Sequence, residues 1–274
     1  MQITPKSKVA THAICESTVE ADMDQLSAEK RLTLSYLFCI VAGAVTSITT
    51  GVAWGHWYKT LDQCVDRNCS CIIYGQHTAT VFLGGPQTPC VWVTFGPLIY
   101  VFFCICLTCF HGYRVLFTTK SPRTRMTRSV LAKLEPGESV RIQAISQETT
   151  SPLPRAFWVC TSVVSVIFTV YSLVHFAIYV DGYYNTCNQY RKTLEKLLSL
   201  HGSALPVIYH RMSCQSVFDF MDYMQLDTFN AYRSGIINTA LCLILGVSAS
   251  AVSWVMFLFA SILNIKLSTV REEE

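Results

Sequence analysis

The sequence predicts an all-α membrane protein, a four-transmembrane-helix bundle with disulfide-bonded extracellular loops. Three observations predict it. Of the 274 residues, 51% are apolar and 14% charged, where a soluble domain carries about 25% charge. Four segments stay apolar for the roughly 20 residues that cross about 30 Å of hydrocarbon. Of the 13 cysteines, an even six fall in the two loops predicted on one side. The charge deficit and a mean hydropathy of +0.35 argue against a cytosolic enzyme and a disordered chain. A net charge of +3 is too small for a nucleic-acid binder.

The elements follow in order. Residues 1–31 are polar and read as a cytosolic tail; 32–54 form the first span. Because 31 residues precede it, this span is expected to act as an uncleaved signal anchor. Residues 55–90 make the first extracellular loop and 91–117 the second span. A basic cytosolic loop, 118–155, leads to the third span, 156–180. The second extracellular loop, 181–234, precedes the fourth span, 235–265, and the cytosolic tail 266–274. No span interior holds Asp, Glu or Lys. Orientation comes from the 118–155 loop, where seven bases face three acids while both opposite loops are charge-balanced. The positive-inside rule then puts both termini in the cytosol. Trp54, Trp57, Tyr58 and Trp92 are expected as an aromatic belt at the outer boundary. The layout is that of a multi-pass membrane protein, of the plasma membrane more than of internal ones.

Cys64, Cys69, Cys71, Cys90, Cys187 and Cys214 face an oxidising compartment in this topology. A bond within the first loop and a Cys187–Cys214 bond are expected, with free thiols or zinc as the alternative. Asn68-Cys69-Ser70 fits a glycan acceptor, and His56 and His77 read as plain surface residues. In the second loop, Tyr190, Leu194, Leu197 and Leu198 recur at helical spacing over 188–200, ended by Gly202 and Pro206. An apolar-acidic stretch over 217–226 would pack on that helix as a closed unit suited to recognition or to capping.

The spans are read chiefly through what they lack. Only His175 lies well inside one, as a hydrogen-bonded packing residue, with Asn238 near the outer end of the fourth. Pro97 is expected to kink the second span. Gly43, Ser47, Gly51 and Gly55 repeat at i+4, as do Gly246 and Ser250. Such rows let helix backbones approach closely, within this chain or against a partner's helix. In the 118–155 loop, Lys120, Arg123, Arg125 and Arg128 form a basic patch for anionic inner-leaflet lipids. Thr127 and Ser129 lie in a kinase-like basic context; Cys109, near the inner boundary, is a candidate for acylation.

No catalytic motif is present: G-x-S-x-G, H-E-x-x-H and the P-loop are all missing from the sequence. No enzyme activity, cofactor or metal is expected. Three motifs carry a resemblance: Cys71-Ile72-Ile73-Tyr74 with Gln76; His111-Gly112-Tyr113-Arg114-Val115-Leu116-Phe117; and Ser213-Cys214 before an acidic-apolar stretch and an aromatic-rich fourth span. The chain resembles the transmembrane protein 179 family in these motifs and in layout over 32–266. The resemblance implies a non-enzymatic four-span membrane protein. The dry spans, the small-residue rows and the structured outer loop give the expectation of an accessory or adaptor subunit of a larger membrane complex with a channel or receptor, its partner another integral membrane protein and no nucleic acid involved. The alternative is an oligomeric pore or carrier lined by Thr46, Ser47, Thr49, Thr50, His175 and Asn238.

Overall fold

The computed structural model describes residues 6–65, 68–78, 81–118, 153–197, 212–227, 232–233 and 235–269, with backbone alone for 6–26 and 118. Helix α1 covers Lys6–Leu61, strands β1 and β2 cover Cys71–His77 and Phe82–Gly85, and α2 covers Gln87–Tyr113. A π-helical turn, Arg114–Thr118, ends α2. Helix α3 covers Arg155–Leu197, α4 Cys214–Met224 and α5 Thr239–Thr269. Four of these helices are long and apolar enough to cross a membrane.

Helix α1 packs on α2 and α5, and α3 on α5 and α2. Two clusters of buried side chains fill the space between them. One lies under the hairpin and α4 around Trp57, Tyr179 and Phe218; the other, around Tyr36, Tyr100 and Phe257, lies toward the opposite end. These ends are called the capped and the open end below.

The fold is not all-α. Part of the stretch expected as the first extracellular loop forms an antiparallel hairpin, with Cys71 opposite Gly85 and Gln76 opposite Leu83. The register shifts between Cys71 and Gln76, and within that bulge Tyr74 takes φ 61°. A left-handed backbone at a bulky residue costs about 1–3 kcal/mol and persists only where neighbours fix it. Tyr74 is fixed by its hydroxyl, which donates to the Ile178 carbonyl at 3.2 Å.

Helix bounds also differ from the expected ones. Helix α1 runs through the expected tail and on past Trp54 to Leu61. Helix α2 starts at Gln87, because Pro86 precedes it and Pro89 sits in the first turn, where no intrahelical N–H bond is needed. Helix α3 continues unbroken through 181 to Leu197, so the helix expected over 188–200 is its extension. The fourth helix begins at Thr239 rather than 235. Gly202 and Pro206 lie outside the described residues. Trp57 is fully buried and is not part of a surface belt.

Candidate functional site

The capped end is built around the hairpin's seat on α3. At Gly182 a Cβ would collide with Ile73 and the Tyr74 ring, so glycine sets how closely the hairpin approaches. One turn on, the Thr186 hydroxyl donates to the Ile72 carbonyl at 2.9 Å and accepts from the Gly75 N–H at 3.1 Å. That satisfies two backbone groups which the bulge takes out of the strand ladder. His77 Nδ1 meets the Thr193 hydroxyl at 2.8 Å, and Phe82 packs edge-on against Tyr190. Burial, with Lys196 and Lys192 nearby, lowers the His77 pKa and favours the neutral ring. Burial also pushes the Tyr74 phenol up to about 12.

Three disulfides tie these pieces together: Cys64–Cys69 after α1, Cys71–Cys90 from β1 to α2, and Cys187–Cys214 from α3 to α4. Helix α4 carries the side chain that caps α5. The Asp222 carboxylate accepts from the Thr239 N–H at 2.9 Å and from its hydroxyl at 2.5 Å. The same hydroxyl accepts from Trp57 Nε1 at 2.8 Å. An acid at a helix N-terminus satisfies an orphan donor and complements the helix dipole. Burial raises the Asp222 pKa, and the two Thr239 bonds oppose that rise. Arg233 lies 4.5 Å over the Trp57 ring and pairs with Asp227 at 2.6 Å. It also donates to the carbonyls of Asp222 and Gln225. Arg191 likewise donates to the Met212 carbonyl beside Cys214.

Midway along the helices, Pro97 has no N–H to give the carbonyl four residues earlier, which is that of Val93. His175 Nε2 meets that carbonyl at 3.1 Å, and Nδ1 lies 2.9 Å from the Ser250 hydroxyl. A carbonyl only accepts, so Nε2 carries the proton and Nδ1 accepts from Ser250. Tyr179 and Thr50 share a bond of 2.8 Å, and Thr46 donates to the Ala42 and Gly246 carbonyls.

Toward the open end a second polar group forms. Asn264 Nδ2 donates to the Tyr36 and Ser165 oxygens, both at 2.9 Å, and Thr169 bonds Ser261 at 2.8 Å. Between the two groups lies an aromatic layer in which Phe257 packs on Tyr100 and Phe168. Beyond it Arg114 grips Glu29 through two bonds of 3.3 and 3.4 Å. His111, fully buried, stacks between Tyr36 and Trp158.

No protein-family model, curated protein or solved structure matches this chain.

The small-residue rows are used inside the chain. A Cβ at Gly43 would meet Tyr100 and Val101, one at Gly51 would touch Thr94, and one at Gly246 would strike the Tyr179 hydroxyl. Ser250 is buried on His175 and Ser47 is half-buried; Gly55 alone of these six faces open space. Gly43, Gly246 and Ser250 are thus helix-packing positions inside the chain, while Gly51 is half-buried against Thr94. Of the residues expected to line a path, Thr46, Thr49, Thr50 and His175 bond to neighbouring helices or to their own backbone. Asn238 accepts from the Leu241 N–H at 2.7 Å as a cap on α5.

Asn68 is exposed, with Ser70 of the same triplet buried. Cys109 is exposed on α2. Lys120, Arg123, Arg125, Arg128, Thr127 and Ser129 lie outside the described residues. Sequence reasoning missed Glu29, His111, Asn264 and Asp222. Glu29 reads as one acid of a polar tail, and Asn264 stands at the very end of its span. The others show their roles only through partners distant in sequence. Among the described residues no cluster of three metal-ligating side chains occurs.

Proposed function

We propose that the chain is a four-span integral membrane protein that acts by association, as an accessory or adaptor subunit of a larger membrane complex containing a channel or receptor. Four sufficiently long apolar helices support the membrane reading. So do the apolar side chains they turn outward, among them Ile48, Phe102, Ile167, Val170 and Leu258. In this reading the disulfide-tied capped end faces the extracellular side. The termini and the 118–155 loop lie in the cytosol, with that loop's bases against anionic lipid. The plasma membrane is the membrane proposed, and Asn68 is a glycan site on the outer face.

One observation carries the reading: interior polar side chains contributed by different helices are bonded to one another, in two groups separated by the Phe257 layer. A carrier or pump keeps ionisable groups on a wet path. Here the polar interior instead joins the helices, leaving the outer faces and the cross-linked head for recognition. Affinity purification from native membranes in mild detergent tests the proposal. Recovery of a stoichiometric integral membrane partner is the expected result, and repeated recovery of the chain alone refutes it.

A further inference from the structure

A second surface remains, on α4 and the segment that joins it to α5. Val217, Phe218, Met221 and Asp222 turn inward. Phe220 and Tyr223, three residues apart on the same face, turn outward, with Tyr223 74% exposed. Leu226 and Tyr232 are each 82% exposed and Ile236 65%. Arg233 ties the segment before α5 to the end of α4 by bonding to the carbonyls of Gln225 and Asp222 and to Asp227. Isolated exposed apolar residues are ordinary, but five of them on the end of α4 and on the segment that Arg233 ties to it call for a partner phase.

The height of this surface is fixed by its anchors. One end of α4 is bonded to α3 through Cys187–Cys214, and the other holds Thr239, the first residue of α5, through Asp222. Thr239 is also bonded to Trp57 of α1, so α4 is pinned to the start of α5, near the end of α1 and at Cys187 partway along α3. From Thr239 to Lys266, the basic residue of the last turn of α5, the helix rises ~40 Å at ~1.5 Å per residue. That matches the roughly 40–45 Å of a bilayer with its headgroups. With Lys266 at one headgroup layer, Thr239 and α4 stand in the other. The outward surface of α5 continues from there as Leu241, Ile244 and Leu245, all exposed and apolar.

We propose that Phe220, Tyr223, Leu226, Tyr232 and Ile236 form an interfacial anchor that rests in the outer headgroup layer of the bilayer. The inference rests on the membrane reading above. Amphipathic aromatic rings favour that depth, and the charged neighbours Arg233 and Asp227 are paired with each other. With Arg233 and Asp227 paired, Asp219 is the remaining acid of α4 beside this face, which suits a zwitterionic leaflet better than an anionic one. The anchor would fix the tilt of the disulfide-tied head relative to the membrane.

The test uses the full chain in phosphatidylcholine nanodiscs, with a nitroxide introduced as a genetically encoded side chain so that the disulfides stay intact. Relative accessibility to oxygen and to a water-soluble nickel chelate is measured at 223, 226 and 232. Phe102 serves as the span control and Gln215, exposed at the start of α4, as the water control. The expected oxygen-to-nickel ratio at the three sites is several-fold above that at 215 and approaches that at 102. In parallel, unmodified protein is photolabelled with a phosphatidylcholine carrying a diazirine near its glycerol, and adducts are expected within 220–236. If 102 reports lipid while 223, 226 and 232 report water, the anchor is refuted and the membrane reading stands. Water at 102 as well refutes the membrane reading itself. Shielding of the three sites from both reagents means that a protein covers the face, which also overturns the anchor.

Discussion

Replacing Asp222 by alanine should loosen the first turn of α5 far more than any other single acidic substitution on α4. The carboxylate accepts two bonds from Thr239, one from its N–H and one from its hydroxyl, and both groups are buried. Loss of a helix cap costs about 1 kcal/mol. Leaving a hydroxyl without the charged acceptor it had costs about 2 kcal/mol more. Every 1.4 kcal/mol is a factor of ten, so hydrogen-exchange protection over 239–245 should fall roughly 100-fold. The effect has a pH sign. Burial raises the Asp222 pKa above its ordinary value, so the folded state binds the proton more tightly than the unfolded one. The proton-linked increment, which adds to the two bonds, is therefore complete below the ordinary carboxyl pKa and is lost as pH rises through the raised folded value. The gap between wild type and Asp222→Ala should widen as pH is lowered from neutral. Asp219→Ala, on the same helix but only half-buried, is the control. Equal protection in the two variants would refute the capping argument.

Cross-link length ranks the disulfides. Loss of Cys187–Cys214, with a separation of 27, should cost about 3.5 kcal/mol and loss of Cys64–Cys69, with a separation of 5, about 2 kcal/mol; thermal unfolding of the paired serine variants in detergent checks the order. Gly182→Val should destabilise by about 1–3 kcal/mol through collision with Ile73 and Tyr74, read as a lower unfolding midpoint with a matching loss of hairpin protection. Glu29→Gln should lower the unfolding midpoint by removing the carboxylate that Arg114 grips inside the protein, and adding Arg114→Gln should recover part of the loss in the same unfolding assay. Purified protein in liposomes should conduct no ions above the empty-vesicle rate; flux across several salts would restore the pore reading.

The long apolar runs were legible because hydropathy needs no partner to be read. The extension of α3 was half legible: Tyr183, Cys187, Tyr190 and Leu194 keep the helical spacing of the span, and all are buried. Dividing the chain at 181 cut one continuous period in two. The hairpin was hidden by its own irregularity, since a strand with a bulge at Tyr74 does not alternate. The pairing of Cys71 with Cys90 depends on that hairpin and could not be read before it. Trp57 looks like a belt residue by position, yet its indole N–H bonds to Thr239, 182 residues away. Asp222 and Glu29 follow the same rule. An acid in a polar stretch looks solvated until the fold brings a donor to it.

The polar groups of the helices have a common arrangement that bears on what the chain does. Pro97 frees the Val93 carbonyl on α2, and the group that reaches it is His175 on α3, itself bonded to Ser250 on α5. Thr50 on α1 meets Tyr179 on α3. Asn264 on α5 joins Tyr36 on α1 to Ser165 on α3. Each contact links different helices, so a slip of one helix by a single turn would leave buried donors and acceptors unmatched. Apolar side chains alone would not penalise such a slip strongly, because lipid is as apolar as they are. The polar interior therefore sets the register of the helices. A chain that spends its buried hydrogen bonds on register presents a fixed outer shape, held further by Cys187–Cys214 at its head, and the proposed association with a membrane partner would use that shape.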